Sequence, residues 1–160
     1  MSGALLILLL TAGAPLFARG TEGWFNLVPC ELCLWQRWPY WAAAVAALGA
    51  LLLWRRGGRR LLWLAAAAAG VSAAIGAFHV GVEFGWWPSP LPGCRVAASG
   101  AARSVDDLMS SLGAAPAKPC DEPAYLIPGL PLSMAAMNLI YGSGVALLAA
   151  LIARRPEKPA

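Results

Sequence analysis

The chain has 160 residues, of which 59% are hydrophobic and 12% charged, with a formal net charge of +4. A soluble domain carries about 25% charged residues, so one domain of this length could not hide so much apolar surface from water. Disorder, a collagen-like fibre and a coiled coil are excluded too, because each needs a polar, glycine-periodic or charged-heptad sequence. The composition leaves an all-α integral membrane protein, a single membrane domain over 1–160.

Four apolar stretches approach the ~20 residues that cross a bilayer core as a helix. Closed hydrogen bonding makes each a helix, since an open strand in lipid leaves its backbone groups unpaired. The first, 3–18, stops at Arg19. No Lys or Arg precedes that residue, so the basic start of a secretory signal is missing and a retained helix is expected. The second, 34–54, follows Pro29 and ends at Arg55 and Arg56. The third covers 61–82, and the fourth, 132–153, begins after Pro131 and stops before Arg154 and Arg155. Outer loops are expected over 19–33 and 83–131.

Tryptophan supports this division. Trp24, Trp35, Trp38, Trp41, Trp86 and Trp87 gather near one set of helix ends, and Trp54 and Trp63 near the other, as interfacial belts do. Charge supplies the orientation. Arg55, Arg56, Arg59, Arg60, Arg154, Arg155 and Lys158 fall on one side, which the positive-inside rule makes cytoplasmic together with both termini. The long 83–131 loop has no basic excess and lies outside. There Ser104-Val-Asp-Asp107, with Val105, Leu108, Met109 and Leu112 at helical spacing and Gly113 as a stop, predicts a short amphipathic helix on the membrane interface or on the protein. The positive charge therefore reflects topology and membrane lipid. No nucleic-acid groove, P-loop, Rossmann pattern or internal repeat is present.

All four cysteines, Cys30, Cys33, Cys94 and Cys120, fall on the outer, oxidising side. Three disulfide connectivities are open to them. A Cys94–Cys120 bridge would contribute roughly 3.5 kcal/mol by chain entropy and a Cys30–Cys33 bridge only about 1.9, so the closer pair is a poor staple. Its surroundings suit redox chemistry. Arg37 lies four residues beyond Cys33, and both the helix dipole and the guanidinium would favour a Cys33 thiolate; otherwise Arg37 snorkels or pairs with Glu31. No metal is expected, because structural zinc sites join two close pairs and no histidine adjoins these cysteines in sequence. The single histidine, His79, stands four residues before Glu83. Either it donates a proton to a bound acceptor with Glu83 orienting it, or Glu83 simply satisfies it. Gly70-x-x-x-Ala74 and Gly142-x-Gly144 predict close helix contacts, and Ser133 and Asn138 predict hydrogen bonds between helices.

These residues carry a resemblance. Pro29-Cys-Glu-Leu-Cys-Leu-Trp-Gln-Arg37 resembles the Pro-Cys-x-x-Cys-x-x-x-Arg signature of the disulfide bond formation protein B (DsbB-like) family. Phe78-His79-x-x-x-Glu83, Trp-Pro-Ser-Pro before Cys94, Cys120-Asp, and Leu132-Ser-Met-Ala135 follow in that family's order. Met137 stands where an aromatic residue is common. The resemblance implies a four-transmembrane-helix bundle in a bacterial inner membrane, acting as a quinone-dependent protein-thiol oxidase. Such an enzyme reoxidises a periplasmic, thioredoxin-fold DsbA-like protein and passes electrons to ubiquinone or menaquinone. It also implies that Cys94 forms the mixed disulfide, Cys120 is its pair, Cys30 exchanges with Cys120, and Cys33 lies beside the quinone with Arg37 on a quinone oxygen. His79 and Glu83 complete the expected quinone site. Two rivals are a vitamin K epoxide reductase-like enzyme, whose Cys-x-x-Cys would be expected near the start of a late helix, and a scaffold stapled by inert disulfides.

Overall fold

The computed structural model describes residues 2–53, 57–91, 94, 118–127 and 129–154. The expected loop helix at Ser104–Gly113, together with Trp54, Arg55, Arg56, Arg155 and Lys158, lies outside them. Helix α1 runs Ser2–Phe25. It passes the apolar boundary at Arg19 and runs through Gly20 and Gly23, with Thr21 Oγ1 bonded back to Ala18 O at 2.8 Å. It stops where Asn26 takes a positive φ of 50°, a left-handed conformation that asparagine tolerates at a helix end.

The second expected helix is two. Helix α2, Glu31–Trp35, is followed after Gln36 by α3, Arg37–Leu52. Pro39 explains the interruption: it lacks the N–H that would reach the Trp35 carbonyl, and its ring crowds that carbonyl. At 16 residues α3 rises about 24 Å. Among the described residues, three helices are long and apolar enough to cross a membrane: α1, α4 (Gly58–Glu83) and α5 (Met134–Arg154). Among the described residues there is no strand, only an isolated bridge between Tyr125 and Ser133.

Helix α4 ends in a double hydrogen-bonded cap. Gly85 N–H donates to Val82 O at 3.0 Å and Trp86 N–H to Gly81 O at 2.9 Å. Gly85, at φ 70°, takes the left-handed position that this cap requires. The reversal lays Trp87 back on the helix, where its Nε1 donates to Phe78 O at 2.9 Å and its ring stacks on Phe78. Helix α5 starts two residues after Leu132 because Ser133 is its cap: Ser133 Oγ accepts the Ala136 N–H at 3.2 Å.

Helices α3, α4 and α5 pack through small residues, with α1 on the α3 side; Ala4, Ile7, Ala43, Ala47, Leu62, Ala65, Ala149 and Ala153 form the core. In lipid there is no hydrophobic gain from joining helices, so close van der Waals packing and polar contacts must hold them. Gly142 and Gly76 supply close approaches between α4 and α5. A Cβ at Gly142 would meet Ala73 Cβ at 3.1 Å, and one at Gly76 would meet the Leu139 backbone nitrogen at 3.2 Å. Gly70 makes only ordinary contact with Ala146, and Gly144 faces open space, so the expected glycine motifs act through Gly142 alone. At the end opposite the cysteines, Arg59 Nε donates to Ala153 O at 3.0 Å and Arg154 lies over Trp63. Trp24, Trp35, Trp38, Trp63 and Trp86 are exposed.

Candidate functional site

Cys30 sits at the start of α2 because Pro29 and its own extended backbone hold it outside the helix, as N-cap. Its Sγ accepts the otherwise unpartnered N–H of Cys33 at 3.3 Å, and the two sulfurs stand 2.8 Å apart without a bond. Since that N–H already points at Cys30, the shared proton belongs on Cys33. The Cys30 thiol is accordingly held below its ordinary value, chiefly by its hydrogen bond with the Cys33 thiol and against the opposing effect of burial. The Cys33 thiol is pushed up by keeping its proton toward Cys30 and by burial. The thiolate of this pair thus falls on Cys30 rather than on Cys33, because the N-cap geometry acts on Cys30 directly.

Cys94 and Cys120 are joined in a disulfide, and both are buried with Cys30, Leu32 and Val82 in one cluster. The sulfurs of Cys30 and Cys120 and a ring nitrogen of His79 lie within 4.8 Å of one another. Residues far apart in sequence therefore bring the two pairs within reach of exchange.

His79 is 2% exposed and three segments hold its ring. Gln36 Nε2 donates to Nδ1 at 2.8 Å, which leaves the proton on Nε2, directed at Cys120 O at 3.2 Å and Cys30 Sγ at 3.5 Å. Glu83 turns elsewhere and accepts from Ser133 Oγ at 2.5 Å. Sequence spacing had paired His79 with Glu83. The fold gives His79 to the cysteines because its face of α4 meets α2 and the segment at Cys120.

Arg37, at the start of α3, forms an ion pair with Glu22 on α1 rather than with Glu31. The partner was out of sight in sequence because helix α1 had been expected to end before it. Beside this pair lies a cavity of about 300 Å³, the lower end of the range for small-molecule sites. Helix α1 lines it with Gly13, Ala14, Pro15, Phe17 and Ala18; Cys33, Gln36, Arg37 and Tyr40 form a second wall, and Met134, Met137, Asn138 and Tyr141 a third. Pro15 removes an N–H from the interior of α1, and with Gly13 and Ala14 it leaves this face of the helix shallow. Of the residues selected from sequence, Cys33 and Arg37 reach the cavity, whereas His79 and Glu83 do not line it.

Sequence reasoning missed Gln36, Glu22, Tyr40 and Ser72. Tyr40 Oη donates to Asn138 Oδ1 at 2.9 Å, Asn138 Nδ2 donates to Ser72 O at 3.2 Å, and Ser72 Oγ donates to Gln36 O at 2.7 Å. This chain fastens the α2–α3 break to α4 and α5. Asn138 is the interhelical donor that its position suggested, and it also lines the cavity. Single polar residues in apolar helices were the available signal, because lipid makes each one require a partner.

Helical among the described residues, with three helices able to cross a membrane and two cysteine pairs gathered in one cluster, the chain has the make-up of a membrane thiol–disulfide oxidoreductase. The family model of disulfide bond formation protein DsbB matches residues 2–152, and the chain belongs to that family. Comparison with curated proteins and with solved structures gives no match.

Proposed function

We propose that this protein reoxidises a DsbA-like, thioredoxin-fold dithiol protein on the periplasmic side of a bacterial inner membrane and passes the electrons to a membrane quinone, ubiquinone or menaquinone. One observation carries the reading: the Cys30 and Cys120 sulfurs lie within exchange distance while Cys33, from the same pair as Cys30, lines an apolar cavity with Arg37. In this topology α3 is the fourth crossing, the cysteines face the periplasm and both termini are cytoplasmic. Arg59 and Arg154 at the opposite ends of α4 and α5 support that orientation.

The donor thiolate attacks Cys94 Sγ and breaks the Cys94–Cys120 bond, and the donor's second thiol then releases Cys94 as a thiol. When Cys30 and Cys33 are joined, the Cys120 thiolate attacks Cys30 and expels Cys33. Cys94 next attacks Cys120, which restores their disulfide and leaves Cys30 and Cys33 as a dithiol. His79 steadies a Cys30 thiolate through its Nε2 proton. The cavity fits a quinone ring: its walls are apolar, and Arg37, Gln36, Tyr40 and Asn138 are the polar groups available to carbonyl oxygens. When bound, a quinone accepts the two electrons and two protons of the dithiol. Arg37, held by Glu22, would bind a quinone oxygen.

The test is quinone reduction by the purified protein, followed by ultraviolet absorbance, with a reduced thioredoxin-fold donor, ubiquinone and menaquinone analogues, and Cys33→Ala as control. Quinone loss matched by donor oxidation and abolished in the variant is expected. Folded protein that turns over neither quinone would instead support inert disulfides or another acceptor.

A further inference from the structure

The fold assembles a set of soft ligands that the sequence kept apart. Cys30 lies before α2, His79 on α4, and Cys120 in the segment leading to α5; their ligand atoms all lie within 4.8 Å of one another. Cys33 adds a fourth donor, its sulfur 2.8 Å from that of Cys30. Tetrahedral zinc, with bonds of about 2.3 Å to sulfur and 2.0 Å to nitrogen, spaces its donor atoms about 3.5–3.8 Å apart. Shifts on the order of 1 Å therefore close the Cys30, His79 and Cys120 donors around one ion, and Cys33, next to Cys30, is the nearest sulfur to complete the tetrahedron. Cys30, His79 and Cys120 are 4%, 2% and 0% exposed, so water does not compete freely for the site. Gln36 is in place as the outer support, since its amide, turned over, offers an oxygen to an Nδ1 proton while Nε2 binds metal.

We propose that the fully reduced protein binds one thiophilic divalent cation of the zinc type through Cys30, Cys33, Cys120 and His79, and that the bound ion blocks thiol–disulfide exchange. In the oxidised protein the Cys120 sulfur is bonded to Cys94 and cannot serve as a thiolate. Reducing that disulfide takes two electrons and two protons, from a donor dithiol or from an added phosphine. Metal binding then displaces the protons of three thiols and moves no electrons. The site thus forms when donor thiols outrun the electron acceptor. The inference rests on the proposed function only for the physiological source of those electrons, and absent quinone turnover would leave it standing.

The test uses the full chain in detergent, reduced with a phosphine, with Co²⁺ as the spectroscopic probe and Zn²⁺ as competitor. One equivalent of Co²⁺ is expected, with thiolate charge-transfer and tetrahedral bands in the reduced protein and none in the oxidised. Cys94→Ser and Cys120→Ser remove the same disulfide, so they share any folding defect. Cys94→Ser should keep the bands, whereas Cys120→Ser and His79→Ala should each weaken binding roughly tenfold or more. Unchanged binding in Cys120→Ser, equal loss in both serine variants, or no thiolate band in the reduced protein would overturn the proposal.

Discussion

Replacing His79 by Phe keeps a ring of similar size in a closed site and removes both ring nitrogens. Two effects separate. The first is structural: Gln36 Nε2 and Cys120 O each lose a buried partner, at about 1–3 kcal/mol per orphaned group. The second is chemical, because Cys30 Sγ loses the Nε2 proton. A hydrogen bond to a charged group contributes about 1.5–3 kcal/mol at good geometry. Here the contact is 3.5 Å long and its proton is shared with Cys120 O, so half of that, about 0.75–1.5 kcal/mol, is reasonable. At 1.36 kcal/mol per pKa unit this raises the Cys30 thiol by about half a unit to one unit. Below the thiol pKa the thiolate population then falls roughly three- to tenfold. Alkylation of Cys30 by iodoacetamide, mapped by peptide mass spectrometry on reduced protein at fixed pH, reads that fall. Gln36→Leu is the control: it orphans Nδ1 and lowers stability, while Cys120 O, 3.2 Å from Nε2, still holds the proton on that nitrogen beside Cys30. An unchanged Cys30 rate in His79→Phe, or an equal slowing in Gln36→Leu, would refute the reasoning.

Three further outcomes follow from the geometry. A Cβ at Gly81 would lie 2.1 Å from the Trp87 ring, so Gly81→Ala must expel that indole from its stack on Phe78, at about 1–3 kcal/mol for the lost contact and hydrogen bond; tryptophan fluorescence should shift to the red, and an unshifted spectrum would show that Trp87 does not pack there. Arg37→Ala leaves Glu22 without its ion-pair partner and removes a cation from the cavity wall, so it should lower quinone reduction more than Cys-to-Cys exchange, with equal slowing of both steps counting against an acceptor-side role. For pH, the depressed Cys30 thiol means that the unfolded reduced chain takes up a proton before the folded one does. That added stability is complete above the ordinary thiol value of 9.0 and disappears as pH falls through the lower folded value. Denaturation midpoints of reduced protein, compared with oxidised protein, should therefore rise as pH climbs toward 9.0, above which the raised Cys33 thiol opposes the gain; a flat difference below 9.0 would contradict the assignment.

Local chemistry alone determined the membrane class, the helical stretches, the cysteines and Arg37, because the cost of placing charge or open backbone in lipid is paid within each segment and so is written in composition and spacing. Pro39 also stands in the sequence, yet the apolar pattern runs straight across it, so hydropathy alone does not show the break between α2 and α3. Only the tertiary structure decided the site's partners. Glu22 met Arg37 because α1 continues past its apolar stretch, and that extension turns on how the chain leaves the bundle rather than on hydropathy. His79 belonged to Glu83 by spacing along one helix, but packing turned it toward Gln36, Cys30 and Cys120. Helical periodicity states which residues share a face; it does not state what that face meets. The sequence placed the thiolate on Cys33; the N-cap hydrogen bond favours Cys30 instead, and it depends on backbone angles that residue identities do not fix.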